Sequence, residues 1–118
     1  MRGLISTTLL AAAALFATPA GAQGGRTYLV EGWCGASPHY KGTVTLTGNG
    51  QTWDVTWSVA GEVFRGRAIA QEDDLAISFT QNGSAGVMHT RRSGAQWFGV
   101  WTTGPDGGVC VENWTPRG

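Results

Sequence analysis

The sequence predicts an all-β fold: an antiparallel up-and-down meander of about eight strands, closed as a small barrel. Three observations carry that reading. After Gln23 the apolar residues fall into short alternating runs, and turns rich in Gly, Asn and Asp separate those runs. The only two cysteines, Cys34 and Cys110, stand at the end of the first run and the start of the last. The run Trp53-Asp54-Val55-Thr56-Trp57-Ser58-Val59 shows the alternation most clearly. It puts two indoles and two valines on one side and three polar residues on the other, as a half-buried strand requires.

Residues 1–22 stand apart from this pattern. Met1-Arg2 gives a short positive start, residues 4–16 are largely Leu and Ala, and Ala20-Gly21-Ala22 offers the small residues that a signal peptidase accepts. A secretory signal peptide cleaved between Ala22 and Gln23 is expected. The alternative, a membrane anchor, is disfavoured because the run is short for a span and Thr18-Pro19 breaks it. Removing 22 of the 118 residues leaves 96, a single domain at 23–118. The expected location is periplasmic or secreted, with no membrane insertion after cleavage.

Strands are expected at about 28–33, 40–47, 52–59, 63–70, 75–80, 86–91, 96–102 and 109–115. Gly48-Asn49-Gly50, Ala60-Gly61, Gln81-Asn82-Gly83 and Ser93-Gly94 read as tight reversals, and the loops at 35–38 and 104–108 are richer in Gly and Pro. Short hairpins in series join sequence neighbours as antiparallel pairs. One face collects Tyr40, Val44 and Leu46, then Trp53, Val55, Trp57 and Val59, then Leu75, Ile77 and Phe79, then Trp97, Gly99 and Trp101; this is the expected interior. In the fourth strand, either Val63, Arg65, Arg67 and Ile69 or Phe64, Gly66, Ala68 and Ala70 could face in, and the sixth strand is equally open.

Closure would bring the first and last strands together and set Cys34 and Cys110 at the same end of an antiparallel pair. In an exported protein, two cysteines most simply form one disulfide. Two buried free thiols are the alternative. A loop this long gives a disulfide about 4 to 4.5 kcal/mol in the chain-entropy model.

Without the leader, seven Lys and Arg face eight Asp and Glu, all scattered. That balance gives no electrostatic case for a nucleic-acid partner or an anionic membrane. No Gly-x-Ser-x-Gly, phosphate loop, dinucleotide glycine pattern or Cys-x-x-Cys occurs, and His39 and His89 are isolated. No catalytic residue, metal site or cofactor is therefore expected. Glu31 and Glu112, on the strands that closure would pair, are the residues a glycoside hydrolase would use. Solvent-facing charges, or an internal pair with Arg65 or Arg67, are the simpler reading.

Trp53, Trp57, Trp97 and Trp101 are the candidate ligand-binding residues, because an exported barrel can hold a small molecule against aromatic walls. Simple core packing competes with that role. Each buried Trp removes about 150 to 250 Å² from water.

Tyr28-x-Val30-Glu31-Gly32, Tyr40-Lys41-Gly42-Thr43-Val44-Thr45-Leu46, Gly50-x-x-Trp53-x-Val55-x-Trp57, Asp74-Leu75-Ala76-Ile77-Ser78, Gly86-Val87, Trp97-x-Gly99-x-Trp101 and Glu112-x-Trp114-x-Pro116 span nearly all of 23–118. This pattern resembles small exported β-domain proteins of Gram-negative bacteria, mostly uncharacterised, some loosely labelled fibronectin-binding. The resemblance implies a strand pattern and no catalytic residues, and Cys34 and Cys110 depart from it. The expectation is a non-enzymatic binding or interaction module whose partner is a protein, a glycan or a small apolar ligand. A carrier with a Trp-lined interior is one alternative, and an inhibitor of an exported enzyme using the loop at 104–108 is another.

Overall fold

The computed structural model describes residues 25–36 and 38–117. The expected leader at 1–22 lies outside the described residues. Eight antiparallel strands follow one another around a closed barrel: β1 (Gly25–Trp33), β2 (Tyr40–Gly48), β3 (Thr52–Val59), β4 (Glu62–Gln71), β5 (Asp74–Gln81), β6 (Ser84–Ser93), β7 (Gln96–Thr102) and β8 (Cys110–Pro116). Each strand pairs with the next, and β8 returns to β1 through Val30↔Trp114 and Gly32↔Glu112. Closure leaves no unpaired edge.

The observed strands outrun the apolar pattern at several ends. β1 begins at Gly25 because the ladder continues through Gly25↔Thr47 and Thr27↔Thr45 for as long as β2 offers partners. Backbone pairing needs no buried side chain, so alternation marks only the half-buried middle of a strand. Four reversals are two-residue hairpins, and two of them, Ala60-Gly61 and Asn82-Gly83, have positive φ at both central residues. That geometry matches the twist of the flanking strands.

The expected interior faces inward throughout. Val44, Leu46, Val55, Trp57, Leu75, Ile77, Phe79 and Trp97 are buried, and Tyr40, Trp53, Val59 and Trp101 are partly buried against them. In β4 the inward set is Phe64, Gly66, Ala68 and Ala70; in β6 it includes Gly86, Met88 and Thr90. The cost of burying the Arg65 and Arg67 charges sets the choice in β4, and Arg67 Nε lies 3.2 Å from Asp54 Oδ1 on the outer face, across the pair Asp54↔Arg67. Size complementarity acts from within. Around one girth the residues run Val55↔Gly66↔Phe79↔Gly86, so large side chains alternate with none. A Cβ at Gly86 would fall onto the Phe79 ring.

The two ends of the barrel differ. At the end carrying the β2–β3, β4–β5 and β6–β7 turns, Trp114 packs against Tyr28 at 5.9 Å and Trp97 at 6.2 Å between ring centroids. Arg92 covers Trp97, its guanidinium carbon 5.6 Å from the ring centroid. This end is plugged. The disulfide between Cys34 and Cys110, with Cα atoms 4.3 Å apart, ties β1 to β8 at the other end.

Candidate functional site

The end stapled by the disulfide holds a cavity of about 310 Å³. Its walls are Tyr40 from the start of β2, Trp57 and Val59 from the end of β3, Phe64 from β4, Phe79 from β5 and Trp101 from β7, with Glu112 of β8 also lining it. Exposed Ala60 and Glu62 complete the rim, so the cavity opens to solvent beside the β3–β4 hairpin. The aromatic walls brace one another edge to face. Phe79 stands 5.5 Å from Trp57 at 61° and 5.7 Å from Trp101 at 79°, a favoured arrangement of ring quadrupoles.

Glu112 is 4% exposed and carries a network built wholly from uncharged donors. The Tyr40 hydroxyl donates to Glu112 Oε1 at 2.6 Å, while Trp57 Nε1 at 3.0 Å and Trp114 Nε1 at 2.8 Å donate to Oε2. Trp101 Nε1 in turn donates to the Tyr40 hydroxyl at 2.9 Å. Four aromatic side chains on four strands are thus tied, directly or at one remove, to one carboxylate.

Backbone placement makes this network possible. Gly32 and Gly99 are the residues paired with Glu112 on its two flanks, and Gly32 also pairs with Tyr40. A Cβ at Gly32 would land on the Tyr40 ring; one at Gly99 would meet Met88 Cε at 2.5 Å and Thr90 Cγ2 at 2.7 Å. The missing side chain at Gly32 lets the Tyr40 ring lie across β1 and reach the carboxylate, while the one missing at Gly99 leaves room for Met88 and Thr90.

Burial pushes the Glu112 carboxyl above its ordinary value, and the bonds from Trp114, Tyr40 and Trp57 pull it back only in part. The Tyr40 hydroxyl is driven far upward, first by burial and then by the neighbouring Glu112 charge, so it remains a donor at neutral pH. A consequence for stability follows from linkage. A carboxyl whose folded pKa is raised opposes folding once the unfolded chain ionises. The penalty is absent below the ordinary value of 4.5 and grows as pH rises from there through the raised folded value. Glu112→Gln has no such titration, so the wild type should gain stability relative to this variant as pH falls through that window. Urea midpoints of both proteins at stepped pH check this, and a gap that stays flat or moves the other way contradicts it.

The sequence candidates separate clearly. Trp57 and Trp101 line the cavity, whereas Trp97 belongs to the plug at the opposite end and Trp53 does not line the cavity. Glu31 and Glu112 do not form an acid-base pair: Glu112 pairs with Gly32 and points in, while Glu31 pairs with Asn113 and points out, 3.8 Å from both His39 and Lys41. The simpler reading of Glu112 is corrected as well. It is neither solvent-facing nor paired with Arg65 or Arg67, both of which are exposed on the outer face.

His39 stacks on Trp33 near the β1–β2 loop, and His89 lies outward, 3.3 Å from Asp74. Among the described residues no group of three His, Cys, Asp or Glu could hold a metal ion. Tyr40, Phe64, Phe79 and Glu112 complete the cavity without having been singled out as ligand-binding from the sequence. Alternation from Cys110 was the available signal for Glu112, because a cysteine bonded inside the barrel mouth forces residues 112 and 114 inward.

No family model, curated protein or solved structure matches the chain.

Proposed function

We propose that the protein is an exported, non-enzymatic binding module that takes a small, largely apolar organic molecule into the open mouth of the barrel. The observation that carries this reading is the asymmetry of the interior: one end is filled by Tyr28, Trp97 and Trp114, while the other holds about 310 Å³ of aromatic-walled space. That volume is at the lower end of the range for small-molecule sites. A few convergent polar groups on rigid strands, here Glu112 and Tyr40, suit recognition. The lining contains no Ser, Thr, His or Lys and its only cysteine, Cys34, is in the disulfide; the Tyr40 hydroxyl, which burial and the Glu112 charge keep protonated, stands there as a hydrogen-bond donor. The disulfide suits an oxidising compartment. The interior is apolar, unlike the polar lumen of a lipid-facing barrel, and the outer face mixes the charges of Arg65, Arg67, Asp54 and Asp74 with exposed apolar residues such as Leu29, Val87 and Phe98.

The test uses the neutral fluorophore N-phenyl-1-naphthylamine. Its emission should rise on mixing with the purified protein, and the melting temperature should rise with probe concentration; saturation at a hundred times Kd corresponds to about 2.7 kcal/mol. Trp101→Ala should weaken this binding. No response of either signal counts against the reading, and so does substrate turnover by the pure protein.

The alternative interaction module has one observation in its favour. Trp33, Val111 and Val100 are exposed, apolar and laterally adjacent across β1, β8 and β7. An exported protein partner seated there would be lost on Val111→Lys while the cavity continued to bind the fluorophore.

A further inference from the structure

The charge distribution inside the barrel narrows the class of ligand. Glu112 is the one buried carboxylate among the described residues. Every described Lys, Arg and His side chain is exposed, and the ion pairs they make are with Glu31, Asp54, Asp73 and Asp74 on the outer face. Buried charges in proteins are ordinarily paired or bound to a metal. Here three uncharged donors solvate the carboxylate, and no protein cation answers it.

Its surroundings are suited to receiving one. Oε1 accepts a single hydrogen bond, from Tyr40, and so keeps acceptor capacity. The cavity that it lines is walled by Tyr40, Trp57, Phe64, Phe79 and Trp101, aromatic side chains of the kind that attract an organic cation. Glu62 at the rim adds a second negative charge and makes no ion pair with a described residue.

Resting on the small-ligand reading above, we infer that the mouth cavity recognises an organic ammonium, a substituted amine with apolar groups whose positive charge sits among Tyr40, Trp57, Phe79 and Trp101 above the Glu112 carboxylate. The aromatic walls replace water around the alkylated nitrogen, and Glu112 supplies the counter-charge at short range, where the low-dielectric interior strengthens it. A neutral molecule of the same shape would fill the space but leave the carboxylate unanswered. An anion would be repelled by both Glu112 and Glu62.

The test compares phenyltrimethylammonium with tert-butylbenzene, its neutral carbon counterpart of nearly the same shape. Binding is followed through the indole N–H signals of the protein by two-dimensional NMR. The cation should shift Trp57 and Trp101 while leaving Trp97 at the plugged end unmoved, and should bind at least about tenfold more tightly than the neutral compound. In Glu112→Gln that preference should collapse toward parity. Equal or tighter binding of tert-butylbenzene overturns the inference while leaving the apolar-ligand reading intact. Silence from both compounds, together with failure of the naphthylamine probe, removes both. The comparison in the unaltered protein decides the matter even if the Gln variant does not fold.

Discussion

Trp57→Ala should destabilise the protein by about 3 to 5 kcal/mol, the range for truncating a buried aromatic side chain. Trp57 is 5% exposed, touches Phe79 edge to face, and donates one of the two hydrogen bonds that reach Glu112 Oε2. Truncation therefore acts twice. It opens a void beside an existing cavity, and it takes a donor from a buried carboxylate, which by itself costs about 1 to 3 kcal/mol. Trp57→Phe separates the two effects, since it keeps most of the ring volume and loses only the donor; its loss should be the smaller. Thr56→Ala is the control for the face assignment, with its side chain on the outer surface and an expected effect within about 0.5 kcal/mol. Urea midpoints for the three variants make the comparison. Equal midpoints for Trp57→Ala and Thr56→Ala would mean that the indole contributes no enclosed contact.

The fold was legible because a closed meander is written almost entirely in local signals. Alternation in Trp53 to Val59 sets the face, Ala60-Gly61 and Asn82-Gly83 set the reversals, and Cys34 with Cys110 sets the closure. None of these requires knowledge of a distant residue except the last. β4 resisted because its inward set, Phe64, Gly66, Ala68 and Ala70, has small residues where the apolar code expects large ones. Those small residues, Gly66, Ala68 and Ala70, answer Phe79, Ile77 and Leu75 on the adjacent strand, and complementarity across strands has no one-dimensional signature.

The cavity was half legible for a related reason. Alternation could say that Trp57 and Trp97 both point in, but their distance along the barrel axis decides that one lines the open mouth and the other the plug. Glu112 is the sharper case. A carboxylate at an inward position reads as an error in a packed core, and the simplest repair is to assume an outward face or an Arg partner. What makes it tolerable is a set of residues from four other places in the chain: Tyr40, Trp57 and the bare glycines 32 and 99. Their spacing is set by register, so the site becomes visible only when the strands are laid side by side.

The disulfide should be worth about 4 to 4.5 kcal/mol in the chain-entropy model, because it closes a loop between residues 76 apart in sequence. Its position decides what else is lost on reduction. Cys34 lies just beyond the end of β1, and Cys110 pairs with Trp101 at the start of β8. The bond therefore clamps the mouth, two residues from Glu112 and directly beside a cavity wall. The plugged end has no such need, since Trp114 is held by Tyr28 and Trp97. Cys34→Ala/Cys110→Ala should accordingly unfold at a markedly lower urea concentration than the oxidised wild type. Under conditions where the double variant stays folded, amide exchange should quicken at residues 31–33, 99–102 and 110–112 before it quickens around Leu29, Val30 and Trp114. Intact mass after alkylation without reduction supplies the prior check, since two alkylated thiols in the wild type would mean that the bond is not formed. A uniform rise in exchange along β1 and β8 would show that the clamp stabilises the whole barrel equally, and would detach the disulfide from any particular role at the mouth.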